Sequence, residues 1–286
     1  MKRLMKKLLW IIFLLLTLTG CSRINLMTSD MTPSKWLETH PYILLETKNG
    51  PFIISEPSSS IIIFSLFLIL GILGIKILKD KINNKSLLFW GVGLILWSLS
   101  TLFAGISYQI FSYMLKCSGR DLCLWTTWWE IAYYFFFVIS MNIIVIATSY
   151  SSFSGKSRKY LIFYALLNFS IYSILLFSGA LIPNKLLCSF EFMVLFIGPS
   201  FLFLMIYNLI QYRKTKTLIE IRLFQTWLFL FLTTALYFSY YISGLGEILW
   251  QRKIWFNAND LLHIGLILWS LFFIKFVKPY IVDKKE

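Results

Sequence analysis

Few side chains inside the hydrophobic stretches of this 286-residue chain can carry a proton or hold a metal ion. Glu130, Glu191, Glu247, Asp260 and His263 lie within or at the edges of apolar runs. An ionisable group there is a functional-site candidate by default, because hydrocarbon penalises charge. Asn259 and His263 are four residues apart and Asp260 and His263 three apart, so on a helix each pair shares a face. Gly105, Ser107, Tyr108 and Gln109 add polar groups to a neighbouring run. Together these groups make an outward-facing polar pocket geometrically possible. His40 and His263 are the only two histidines, so a three-histidine site is excluded. A plainer reading puts these acids at the water line beside Trp125, Trp128, Trp129, Trp250 and Trp255. Glu247 and Asp260 fit that reading best.

Such residues need a frame, and composition names it. The chain is 58% hydrophobic and 19% aromatic, with a mean hydropathy of +0.73. Its 14% charged residues fall well below the usual quarter, which excludes an ordinary soluble globule. Seven runs near 59–78, 87–110, 124–148, 160–181, 187–210, 223–245 and 257–278 approach the roughly 20 residues a spanning helix needs. Strands are excluded because an open edge in lipid leaves backbone groups unpaired, and porin-like alternation is missing. The expected fold is therefore all-α: a polytopic membrane protein with seven transmembrane helices after an N-terminal signal segment.

The net charge of +14 follows topology rather than nucleic acid. No basic stripe with interleaved aromatics sits on a soluble domain. If the chain enters from outside, the connections at 76–86, 149–159 and 211–222 and the segment from Lys275 lie in the cytoplasm. With the N-terminal basic cluster these carry 19 of the 27 Lys and Arg and four of the 13 acids. That distribution is positive-inside. It implies the bacterial cytoplasmic (inner) membrane, N-terminus outside and C-terminus cytoplasmic, with membrane lipids as surroundings and an unidentified membrane or cytoplasmic protein as the conceivable partner.

The N-terminus accounts for the entry. Lys2, Arg3, Lys6 and Lys7 precede an apolar run from Leu8 to Leu18, too short to span comfortably. Leu18-Thr19-Gly20-Cys21 then resembles the lipobox of bacterial lipoproteins, which implies a cleaved signal over 1–20 and acylation of Cys21. Residues 21–58 read as an extracytoplasmic tether, 59–278 as the seven-helix domain and 279–286 as a cytoplasmic tail. Four prolines and Ser58-Ser59-Ser60 suit an exposed tether, within which 42–55 has the pattern of a hairpin with an Asn49-Gly50 turn. Cys117 and Cys123 bracket a short outer turn and can pair in an oxidising compartment, with Cys188 a competing partner.

Seven spans together with Ser107, Glu130 and the stretch Asn259-Asp260-Leu261-Leu262-His263 resemble the ceramidase and adiponectin-receptor superfamily of membrane hydrolases. Those proteins use a serine and a histidine in the second span, an acid in the third and a paired-histidine segment in the seventh to hold zinc. The resemblance implies zinc-dependent hydrolysis with Ser107, Glu130 and His263 as the catalytic candidates: His263, Glu130 and Asp260 (or Glu191) would hold zinc, and the metal-bound water would attack a lipid amide or ester. Asn259 stands where the first histidine of the pair belongs, and Phe111 lies where the second-span histidine would fall. The competing class is a non-catalytic seven-span receptor, sensor or scaffold, whose signal would leave through a partner on basic loops such as Arg213-Lys214-Thr215-Lys216. Retinal attachment at Lys275 is poorly placed, since that lysine can snorkel to the headgroups. Paired broken helices, phosphate loops and serine-hydrolase elbows are lacking.

Overall fold

A computed structural model describes residues 22–48, 50–80 and 83–284. Cys21 and the signal segment lie outside the described residues. A 3-10 turn (Arg23–Leu26) leads to α1 (Pro33–Thr39) and a hairpin of β1 (Tyr42–Thr47) and β2 (Gly50–Ser55). The bundle follows with α2 (Pro57–Lys79), α3 (Lys85–Ala104), the short α4 (Ser112–Lys116), α5 (Trp128–Ser152) and α6 (Gly155–Leu181). It closes with α7 (Phe190–Thr215), α8 (Leu218–Ser243), the short α9 (Leu245–Gln251) and α10 (Ala258–Phe272). α3 continues through a π-helical turn, Gly105–Ile110, and α10 through another, Phe273–Val277. Among the described residues seven helices are long and apolar enough to span a membrane, so this is an integral membrane protein.

The seven lie where hydropathy predicts, with no edge displaced by more than five residues. The displacements have local causes. The third span starts at Trp128 because the Thr127 side chain caps the Glu130 N–H, while Leu124 bridges back to Thr28. α6 and α8 begin earlier than hydropathy implies because Lys156, Arg158, Glu220 and Arg222 join the helices. Their long stems can lie along apolar surface while the charges reach outward.

Residues 22–58 are no free tether. Ile24, Met27 and Trp36 are buried. Ser29 N–H donates to Cys123 O (2.8 Å), Cys123 N–H to Met31 O (2.8 Å) and Trp125 N–H to Met27 O (2.7 Å), so the segment pairs with the loop before α5. That loop carries the Cys117–Cys123 disulfide, packed with Trp36, while Cys188 stays a buried free thiol. The hairpin forms, but Thr47 pairs with Gly50, which puts Gly50 in β2 rather than in the turn. Asn49 lies outside the described residues. We call this face of the bundle the hairpin end. Residues 281–284, after α10, pack on the opposite face, the strap end.

In lipid the apolar surroundings do not push helices together, so contact relies on close backbone approach and interhelical hydrogen bonds. Both are present. A Cβ on Gly74 would lie 2.9 Å from Gly91 O, and one on Gly91 would lie 2.7 Å from the Leu78 side chain. Hydroxyls then tie helix to helix. Ser98 donates to Phe67 O (2.7 Å), Ser140 to Gly93 O (2.7 Å) and Ser86 to Ala147 O (2.8 Å). The centre is filled by four buried tryptophans, with Trp90 against Trp227 (6.0 Å between ring centroids) and Trp97 against Trp269 (5.1 Å). Gly91→Val forces α2 and α3 apart and should cost about 1–3 kcal/mol, the usual range for overpacking. Thermal melting in nanodiscs that left the variant at the wild-type midpoint would contradict this contact.

Candidate functional site

Six spans enclose a cavity of about 440 Å³ in the half of the bundle nearer the hairpin end. That volume falls within the range of small-molecule sites. From Trp97 to Gln109 the wall formed by α3 and its π-turn runs about 18 Å at helical rise. The deep part is apolar, bounded by Trp97, Met141, Phe201 and Trp227. The part nearest the hairpin end is polar, with Tyr108, Gln109, Tyr133, Tyr237, Asn259 and His263 on the wall. A long apolar chamber with one polar end is the shape of an amphiphile.

Two buried atoms on that wall make no hydrogen bond among the described residues: Gln109 Oε1 and His263 Nδ1. Buried acceptors and donors are almost always paired, so each such atom asks for an explanation. Gln109 is carried by the π-turn of α3, a local widening of the helix that recurs at functional sites. His263 lies on the second turn of α10, whose start is fixed by a reciprocal cap. Asn257 N–H donates to Asp260 Oδ2 (2.9 Å) and Asp260 N–H to Asn257 Oδ1 (3.0 Å). The cap holds the helix start and so orients His263 and Asn259 along the cavity.

The remaining sequence-derived candidates do not meet there. Glu130 is buried, but Lys116 Nζ donates to its Oε1 at 2.8 Å, and neither lines the cavity. Ser107 is fully buried and its hydroxyl also stays off the wall. Asp260 is committed to the cap, while Glu191 and Glu247 are exposed at helix starts. Among the described residues no three of His, Cys, Asp and Glu approach closely enough to hold a metal ion. The set Glu130, Asp260 and His263 therefore does not fit zinc. The reason is electrostatic: the carboxylate that hydropathy leaves alone in the third span already has a cation, supplied by α4 from beyond the π-turn.

A second polar cluster at the hairpin end was not legible in the residue spacing. Glu56, just before α2, holds a left-handed backbone (φ +42°), which strains a non-glycine residue. Asn257 Nδ2 donates to its carboxylate at 3.4 Å, and His40 Nε2 lies 3.9 Å away. His40 stacks on Trp36 (4.4 Å) and leans on Trp255 (5.6 Å), whose indole N–H donates to Ser59 Oγ (2.9 Å). Burial and the nearby Asp260 carboxylate push the Glu56 carboxyl up to about 8, while burial pulls the His40 imidazole down from its ordinary value. At neutral pH both are uncharged, so their approach is a neutral contact rather than an ion pair. This cluster joins α1, α2 and the loop before α10 into a cover over the hairpin end.

The comparisons with known proteins bear on the N-terminus. Residues 5–22 match the family model for a prokaryotic membrane lipoprotein lipid attachment site. No curated protein and no solved structure matches the chain.

Two predictions follow from the charge geometry. Lys116→Met leaves the Glu130 carboxylate buried without its cation and should cost about 3–5 kcal/mol, whereas the double change Lys116→Met with Glu130→Met should recover most of that loss. Equal melting of the single variant and the wild type would show that the pair is not formed. The Glu56 proton is held by folded and unfolded chains alike below 4.5, its ordinary value, and by the folded chain alone from there to about 8. Its contribution to stability therefore declines as pH rises through that window. His40 acts oppositely, its contribution growing with pH up to 6.5. Of these two groups Glu56 alone still changes between pH 6.5 and 8, and Glu56→Gln should flatten the decline there. An unchanged slope in that variant would assign the decline elsewhere.

Proposed function

We propose that this protein is a non-catalytic receptor or sensor that binds a neutral, single-chain amphiphile inside the membrane. The observation that carries this reading is the pair of unpartnered buried atoms, Gln109 Oε1 and His263 Nδ1, on the polar wall of an otherwise apolar chamber. A ligand hydroxyl or amide N–H can donate to Gln109 Oε1 and a hydroxyl can exchange a hydrogen bond with His263. The alkyl chain then lies between Trp97, Phe201 and Trp227. Among the described residues no Asp, Glu, Lys or Arg lines the chamber, which favours a neutral head. Hydrolysis is the weaker reading of the same bundle: the hydroxyl of Ser107 and the carboxylate of Glu130 lie off the chamber wall.

In this reading the protein sits in the bacterial cytoplasmic membrane with the hairpin end outside, acylated at Cys21, and the strap end in the cytoplasm. The distribution of Lys and Arg supports the orientation, and the lipid attachment match over residues 5–22 supports the acylation.

Unpaired polar atoms kept for a ligand cost stability without it, and that cost gives the test. Gln109→Leu and His263→Leu should each raise the unfolding free energy by about 1–3 kcal/mol while weakening binding. The probe is dodecanol carrying a photoreactive diazirine, applied to the protein in nanodiscs, with adducts located by mass spectrometry. Adducts on Phe201 or Trp227 that fall at least fivefold in either variant support the reading. Adducts spread over lipid-facing residues and indifferent to both changes would refute it.

A further inference from the structure

Trp227 belongs to two structures at once. Its ring forms part of the cavity floor, and its indole N–H donates to Asn208 Oδ1 at 3.1 Å on the other side. Asn208 is fully buried on α7, and its Nδ2 donates to Glu220 Oε2 (2.6 Å) and to Ser152 Oγ (3.0 Å). The Ser152 hydroxyl donates in turn to Glu220 Oε2 at 3.3 Å. The next partner along this path lies outside the bundle: Lys284 Nζ donates to the Ser152 carbonyl at 2.8 Å. A continuous set of hydrogen bonds thus runs from the cavity floor to the strap. It crosses α8, α7 and α5 in apolar surroundings, where each lost partner is costly.

The strap is held by more than that lysine. Asp283 accepts from Lys85 N–H and Ser86 N–H, both at 2.8 Å, and so caps the start of α3. Asn84 Nδ2 donates to Ile281 O (2.9 Å), and Lys284 N–H donates to Tyr150 O (2.8 Å). One turn further into α3, Trp90 stacks on Trp227. The indole that closes the cavity therefore touches both the polar set under the strap and the helix that the strap caps.

We infer that the cavity and the strap are coupled, so that an amphiphile seated against Trp227 loosens residues 281–284 and exposes the strap end. The inference rests on the binding reading above and names its output. An alkyl chain in van der Waals contact with the ring shifts the indole, and a small shift breaks a 3.1 Å hydrogen bond to Asn208. Asn208 then loses the one contact that fixes its amide orientation from the cavity side. Ser152 and Glu220 must re-pair, and the carbonyl that holds Lys284 moves with them. Coupling of this kind is reciprocal: whatever factor the ligand applies to strap release, strap release must apply to ligand affinity.

Hydrogen–deuterium exchange in nanodiscs, with and without saturating dodecanol, reads the strap directly. Peptides covering 84–88 and 281–284 should exchange at least threefold faster with dodecanol present. Trp227→Phe keeps a ring but has no N–H to donate, and should show the faster exchange with no probe added. From the other end, Asp283→Asn with Lys284→Met lies far from the cavity and should lower the half-saturating concentration of the diazirine probe at least threefold. Cavity adducts in wild type with unchanged strap exchange, and unchanged half-saturation in the strap variant, would overturn the coupling while leaving the binding reading standing. Absence of cavity adducts would overturn both.

Discussion

A polar group carried into hydrocarbon must find its partner on the protein, and this single demand organises the bundle. Ser86, Ser98 and Ser140 each meet it by donating to a backbone carbonyl of a neighbouring helix. Glu130 meets it with Lys116, and Glu220 with Asn208 and Ser152. Each such contact has one geometry and fixes the rotation of two helices about their axes, which apolar packing against lipid would leave loosely defined. Glycines add closeness to that alignment where α2 crosses α3. Against this background Gln109 Oε1 and His263 Nδ1 stand out by their place: of the buried polar atoms without a partner among the described residues, these two lie on the chamber wall.

The architecture was largely readable from hydropathy and charge. Seven apolar runs separated by short connections, alternate ones rich in lysine and arginine, leave little else to build, and the helices follow them closely. The edges were less readable because caps and snorkelling side chains set them. Thr127 delays α5 by a full turn, while the basic residues of α6 and α8 extend those helices past their apolar cores. The segment before α2 reads as a tether because its prolines and serines suggest exposure, and the structure instead packs part of it against the bundle. Its burial comes from Met27 and Trp36 against the loop before α5, a hundred residues later, and from the 3-10 turn of Ile24 against α6, pairings that no local pattern reveals.

The site was readable only in part. His263, Asn259, Tyr108 and Gln109 stand out as polar residues in apolar runs and do share a chamber. Glu130 stands out equally and does not, since its partner Lys116 looked like one more loop cation. Trp227 carried no signal, being one tryptophan among eleven. Asn208 gave a weak one, an amide deep in a hydrophobic stretch. Which isolated polar residues meet depends on helix rotation, and the contacts that set the rotation lie between residues far apart in the chain.

The cap on α3 bears on the order of assembly. Asp283 follows Lys85 by 198 residues, so the second span enters the bilayer with the amides at its start still lacking their carboxylate. Five more helices must be threaded before that partner emerges from the ribosome. The bundle is thus latched late at a helix laid down early, and the start of α3 stays without that cap until residue 283 has been made.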